Sequence, residues 1–420
     1  MTTGGTLLER LVPADTSGGD GSDRGREWLN AHGLPTGREE AWLYTPVSEI
    51  VAALDEAELP AAPGSAPVEG ELIDRLAGSH GGPRLVVVNG VFVPDLSDLG
   101  AGIDGLRLSG PSTQDGSRTQ FDPTDGFQAL NWAAGTEVTV TTDPDARIEV
   151  PVHVVHVTVP GEGVTLTNPR TLLTVGARSH VHLIETFVGV DGRAVTNATT
   201  RIVAGEDSSV VYDQEAAEPA DAIHVGRVGI EQQARSTVKA TTLVTGGHIV
   251  RNAVDVAILG DGATSDLGGL YLPTGKQRHD NVITVDHAAS HATSTQQFRG
   301  IVDDHGRGSF SGHVIVRHGT VGTDADQSNP NLVLSPTAQA DTRPWLEIFA
   351  DDVKCAHGAT VGRLDEEAAF YMRSRGVPAA QARTMLVAAF AVDVLDRLSV
   401  ASLRERVAAV VEDRTGGASR

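Results

Sequence analysis

The chain is 420 residues long, carries a formal charge of −22, and is 40% hydrophobic with only 4% aromatic residues and a single cysteine. That length predicts two or three folding units. The acidity excludes attraction to free nucleic acid or anionic membranes, the lone Cys355 excludes an internal disulfide, and no segment approaches the ~18 apolar residues of a membrane span.

The first 25 residues have no basic start and no continuous apolar run, so no secretory signal is expected, and the chain reads as cytoplasmic, where thiols stay reduced. Residues 16–25 and 415–420 read as flexible polar segments. A mixed helical and α/β region is predicted over residues 1–134. Within it, a helix over residues 24–32 ends at Gly33. A second over residues 47–58 has Ile50, Val51 and Leu54 at helical spacing and stops before Pro60. RLVVVNGVFVPDL reads as two strands around an Asn89-Gly90 turn.

Residues 135–362 differ in character. Short β-branched runs such as VTVTT, VHVVHVTV, TTRIVAG, AVDVAIL and HVIVRHG recur, separated by Gly, Asp, Asn and Ser. Similar turns at Gly176-Ala177-Arg178-Ser179, Gly205-Glu206-Asp207-Ser208, Gln233-Ala234-Arg235-Ser236 and Gly260-Asp261-Gly262-Ala263 fall roughly 27–30 residues apart, a repeat-like period. Runs this short and this poor in aromatics suit the stacked coils of a β-helix, which bury small aliphatics in a continuous column. A β-sandwich is the alternative.

The sequence DDVKCAHGATVG holds Cys355 and, two positions on, His357. In an extended backbone these side chains share a face, with Cα atoms about 7 Å apart. They form a candidate pair of metal ligands, or a thiol with its activating base. One thiolate cannot complete a four-cysteine cluster site, so a metal role needs ligands from a second chain. A packed cysteine beside a turn histidine is the plainer alternative.

Residues 363–420 read as helical. LDEEAAFYMRSRG has acids at its start and bases then glycine at its end, as the helix dipole and C-cap favour. A second helix follows Pro378, with an apolar stripe of Met385, Leu386, Ala389, Phe390, Val392 and Leu395. Ser399 is a candidate cap for a third, which carries Leu403, Val407 and Val410. The stripe exceeds what three short helices can cover, and so predicts docking on the strand region or on another protein.

Residues 346–395, LEIFADDVKCAHGATVGRLDEEAAFYMRSRGVPAAQARTMLVAAFAVDVL, resemble the C-terminal signature of the SufB/SufD family of iron–sulfur cluster assembly proteins. GREEAWLYTPV (residues 37–47) and DGFQALNWAAG (residues 125–135) are similar to earlier motifs of that family. The single cysteine, the length and GREEAWLYT favour its SufD side. The resemblance implies a mainly β fold, with a right-handed parallel β-helix core between an N-terminal mixed region and a C-terminal helical domain. It also implies pairing with a SufB-like subunit and docking of a SufC-like ABC ATPase on the C-terminal helices, around Met385, Leu386 and Phe390. A homodimer is possible in isolation. The chain would be a non-catalytic scaffold for a nascent iron–sulfur cluster, built with sulfur from a desulfurase system. His357 and Cys355 would stand at the cluster-assembly interface. TGKQ at residues 274–277 lacks the spacing of a phosphate-binding loop, so nucleotide hydrolysis must come from elsewhere.

Two other readings compete, besides a SufB-like paralogue acting as the main scaffold. A β-helix carbohydrate-active enzyme would need acid/base carboxylates, with Asp280, Asp286, Asp303 and Asp304 as candidates. A histidine metal enzyme would draw on His180 and His182, or on His287 and His291.

Overall fold

The β-branched runs of the middle region stack in parallel, in-register coils, two strands to a coil. The computed structural model describes residues 10–12, 20–60, 68–99, 102–111 and 123–416. Of the stretches read as flexible, residues 16–19 and 417–420 lie outside these; residues 20–25 instead open a helix, and 415–416 end one. The strands form two sheets of a parallel β-helix of about eight coils. One sheet ends in the strand Gln339–Ile348 and the other in Val353–Gly362.

Register explains the composition. Val140, Leu173, Ile202, Ile230, Val256, Val285 and Val314 occupy one column facing the lumen, each paired with the next coil. A column of branched aliphatics packs without aromatics, because each coil repeats the shape of its neighbour. Alternate residues face outward, as the two-residue period of a strand requires.

The recurring turns are one structural device. Arg178, Asp207, Arg235 and Gly262 adopt φ of 59°, 57°, 56° and 72°. This left-handed conformation aims each N–H at a carbonyl of the following coil: Glu206, Ala234, Asp261 and Ser290, each at 2.9 Å. Beside them the coils approach so closely that a Cβ on Gly260 would overlap the backbone of Ala234.

The two ends of the solenoid differ. At the entry end, Leu106–Ser109 lies antiparallel to Thr136–Thr142, and Arg84–Val88 extends the other sheet. The predicted hairpin closes it, with Asn89 and Gly90 at φ 50° and 78°. At the far end nothing pairs beyond Gln339–Ile348 and Val353–Gly362 among the described residues.

The N-terminal helices α1 (Asp20–His32), α2 (Val47–Glu56), α3 (Gly70–Ala77) and α4 (Gly126–Ala134) pack around the entry half. Helix α2 stops at Glu56, before the expected Glu58, because Ala57–Glu58 pairs as a strand with Val164 and Thr165. The motif residue Trp42 is buried against Phe127, with the Arg251 guanidinium 3.9 Å from its ring centre. Arg251 is paired with buried Asp280 at 2.8 Å, and the Thr45 hydroxyl donates to the same carboxylate. The GREEAWLYTP segment is thus clamped to the outside of the coils by a buried ion pair.

At the C-terminus lie α5 (Glu366–Ser374), α6 (Ala379–Leu395) and α7 (Ala401–Gly416). The Asp365 side chain caps α5 by accepting from the N–H groups of Glu367 and Ala368. Helices α6 and α7 bury Val387, Ala391, Val394, Leu403, Val407 and Val411 against Ile184, Leu243, Leu270, Ile301 and Leu332 on the outside of the second sheet. Ser399 does not cap α7. It lies two residues ahead of it, and its hydroxyl contacts His182 instead.

Gly260→Ala is expected to destabilise the protein by about 1–3 kcal/mol, because the coils must part to admit the methyl group. Gly163→Ala, where a Cβ meets nothing within 4 Å, is the control, expected within about 0.5 kcal/mol of wild type. Urea denaturation of both variants checks this; equal midpoints would show that the coils give way there without cost.

Candidate functional site: the open end of the solenoid

The strand Val353–Gly362 pairs in register with Thr323–Val333, setting Cys355 beside Ala325 and His357 beside Gln327. Ala325 and Gln327 are buried in the lumen. Cys355 and His357 therefore share the lumen-facing side of the last coil, as their spacing predicts. Cys355 is half-buried against the cluster of Val314, Val316 and Ala325. His357 is exposed, because no coil lies above it. Ile348, Phe349 and Val361 are large apolar residues left exposed at the same mouth.

Burial, then the nearby Asp324 carboxylate, pushes the Cys355 thiol above its ordinary value. The thiol is therefore held protonated at neutral pH. Ligation of iron or acceptance of sulfur at Cys355 must release a proton, and both become easier as pH rises.

The lumen changes character toward this end. The His357 column runs Val152, Leu183, Tyr212, Ala240, Leu267, Gln296, Gln327, His357. The Cys355 column runs Val181, Val210, Val238, Ser265, Ser294, Ala325, Cys355. Gln327 donates from Nε2 to Oε1 of Gln296 at 2.8 Å. Residue-by-residue inspection missed Gln296 and Gln327. Their signal was period: the three rungs fall at positions 296, 327 and 357, in step with the turns.

A second polar layer sits deep in the lumen. Glu185 accepts hydrogen bonds from His156, Thr171, Thr200 and Tyr212 at 2.5–2.9 Å. Burial pushes its carboxyl upward, yet these bonds together hold it below the usual value. The layer ties five strands from both sheets together.

The other candidates are occupied one by one. Asp280 pairs with Arg251, Asp286 with Arg317 and Asp303 with Arg383, while Asp304 accepts from Thr274. Asp280 and Asp286 share the strand Arg278–His287, and Asp303 and Asp304 share the turn after Thr293–Val302, but each carboxylate is already committed to a structural partner. His182 pairs with Asp213, and His287 is buried against Ser294. Among the described residues no group of three or more His, Cys, Asp or Glu side chains is arranged to hold a metal ion. No helix among them is long and apolar enough to cross a membrane.

The stripe on α6 divides into two faces. Met385, Ala389 and Val392 are exposed. Leu386 is half-buried, and Phe390 packs on the buried cluster with the Arg299 guanidinium 5.0 Å from its ring. Phe370 and Tyr371 on α5 are 69% and 60% exposed, and their positions in the sequence did not single them out.

The SUF-system iron–sulfur cluster assembly family matches this chain through its SufBD core domain over residues 157–390. The chain is 30% identical to the iron–sulfur cluster assembly protein SufD of Escherichia coli K12, over 92% of this chain and 91% of that one. It is 29% identical to a SufBD family iron–sulfur cluster assembly protein of Synechocystis, over 91% and 88%. It is 27% identical to the chloroplastic protein ABCI7 of Arabidopsis thaliana, over 91% and 83%.

Because Cys355 is the only cysteine, its alkylation reads one site. Iodoacetamide should react slowly at pH 7.5 and accelerate as pH rises past the ordinary thiol range. Asp324→Asn, by removing a charge that opposes the thiolate, should raise the pH 7.5 rate by roughly twofold, less at high salt. A rate unaffected by Asp324→Asn would show that burial alone sets this thiol.

Proposed function

Since this chain belongs to the SufBD family of iron–sulfur cluster assembly proteins, we propose that it is a SufD-type scaffold subunit whose open solenoid end meets a SufB-like subunit. The observation that carries this reading is the uncapped last coil. Two edge strands there present unpaired N–H and C=O groups around a lumen mouth holding Cys355, His357 and exposed apolar side chains. A solenoid end needs a cap, and free edge strands pair with whatever chain is offered. A partner seated here would bring its own ligands to the one thiol and one imidazole this chain supplies.

In this reading the nascent cluster is cargo. His357 offers a ring nitrogen to iron, or moves a proton during sulfur transfer. Cys355 adds at most one thiolate, after losing its proton. The chain is a scaffold and hydrolyses nothing itself. A SufC-like ABC ATPase docks on the exposed face of α5 and α6, formed by Phe370, Tyr371, Met385 and Val392, with a desulfurase system delivering sulfur to the assembled complex in the cytoplasm. The working division is residues 1–134, 135–362 and 363–420: an entry unit, a solenoid and a docking unit.

His357→Ala should remove most of the cluster from the complex co-expressed with its SufB-like and ATPase partners, at unchanged subunit stoichiometry. Cys355→Ser should have the milder effect. Iron and sulfide content per complex is the measurement, and normal content in His357→Ala would exclude this site from assembly.

Deleting residues 364–420 is a poor test of ATPase docking, because it would also bare the outer face of the solenoid. Met385→Glu with Val392→Glu alters the exposed face alone. This double variant should weaken ATPase binding at least tenfold, about 1.4 kcal/mol, without lowering the melting temperature. Undiminished binding would move the docking site elsewhere.

A further inference from the structure

The lumen rung directly beneath His357 is a buried carboxamide with an unused acceptor. Gln327 is 1% exposed and Gln296 fully buried, stacked on consecutive coils of one column. Gln327 spends its amide N–H on Gln296 below, and its carbonyl Oε1 has no partner. In such a ladder the carbonyl of each amide faces away from the bond its nitrogen makes. Oε1 is buried and unbonded, and the next rung in register is His357. A buried acceptor left unmade costs about 1–3 kcal/mol. The imidazole is the side chain that the register brings to it.

The fold makes room for this amide. A Cβ on Gly312, across the lumen on the opposite sheet, would overlap Nε2 of Gln327, with its Cδ 2.7 Å away. Gly312 lies in the strand Arg307–Val316 with no positive φ, so backbone conformation does not require a glycine there. Clearance for Gln327, and for the Phe310 ring 2.7 Å away, does.

We propose that Gln327, braced by Gln296, is a positioning residue for His357: its Oε1 accepts a hydrogen bond from one ring N–H and so presents the other ring nitrogen, lone pair outward, at the open end. A ligating histidine needs such a partner on its second nitrogen to fix tautomer and ring orientation. This rests on the reading of His357 as a cluster-assembly residue, and supplies what that reading lacks, a reason for one nitrogen to face the partner.

The test is the ring spectrum of His357 in the full-length chain labelled with 15N-histidine, assigned by its loss in His357→Ala. The wild type should show one dominant neutral tautomer. Gln327→Leu removes the acceptor, and the two ring nitrogens should move toward the averaged shifts of an unconstrained imidazole. Gln327→Glu keeps an acceptor oxygen and should retain the bias. Gly312→Ala crowds Gln327, along with the Phe310 ring, without changing the amide's chemistry and should reproduce the loss; it stands in should Gln327→Leu fold poorly. A merely structural Gln327 would leave the ring spectrum unchanged in every folded variant, and that result overturns the proposal. In the co-expressed complex, Gln327→Leu should lower cluster content severalfold and Gln327→Glu should restore much of it. Normal cluster content in His357→Ala would sink the functional reading while leaving the spectral result standing. Unchanged spectra would sink this inference alone.

Discussion

Every coil of this protein obtains its hydrogen bonds and much of its burial from the coils on either side. Strand pairing is parallel and in register from Thr136–Thr142 to Val353–Gly362, and the left-handed turn residues pass one more N–H to each following coil. Such an object has no natural end. At entry the chain supplies its own closure, turning strands antiparallel and folding a hairpin across the first coil. At the far end nothing among the described residues does so. The open surface is therefore fixed by stacking, and Cys355 and His357 stand on the lumen side of its last coil.

Approach to that end changes what the lumen is made of. The His357 column passes from Leu267 to Gln296 and Gln327, and the Cys355 column from Val238 to Ser265 and Ser294. Each exchange gives up apolar burial of roughly 1.5–3 kcal/mol per large side chain. A polar layer such as that around Glu185, whose carboxylate accepts four hydrogen bonds, compensates by specifying which strands stack on which. The glutamine ladder is not fully satisfied. Its open acceptor lies on the rung beneath His357.

Much of this was legible in the sequence, because a solenoid writes its period into the chain. The turns near Arg178, Asp207 and Arg235 recur because a left-handed residue is needed at each corner, and the β-branched runs recur because each coil copies its neighbour. Cys355 and His357 were visible through chemistry and i, i+2 spacing. Gln296 and Gln327 were not, since a glutamine in a strand is unremarkable until register sets it under a histidine. The clamp of Trp42 and Thr45 on Arg251 and Asp280 was hidden for a different reason: its halves lie over 200 residues apart. The helix α6 misled because it is apolar on both sides, so spacing alone could not say which face meets the solenoid and which meets solvent.

That two-faced helix joins the two ends of the problem. Inward-facing Val387, Ala391 and Val394 rest on the coils just before the last one. Arg383 and Arg397 pin the helix and the turn after it to Asp303 and Asp266. The strand Thr293–Val302 takes part on both of its faces. Outward, Arg299 donates to the Phe390 carbonyl at 2.6 Å and pairs with Asp393. Inward, three residues earlier, Gln296 accepts from Gln327, the rung beneath His357. A displacement of α6 along the solenoid would have to break the Arg299 contacts or carry that strand with it, and close-packed interiors transmit such strain. The exposed face of α6 and the imidazole at the open end are thus attached to one rigid element, held from outside by an arginine and from inside by an amide ladder.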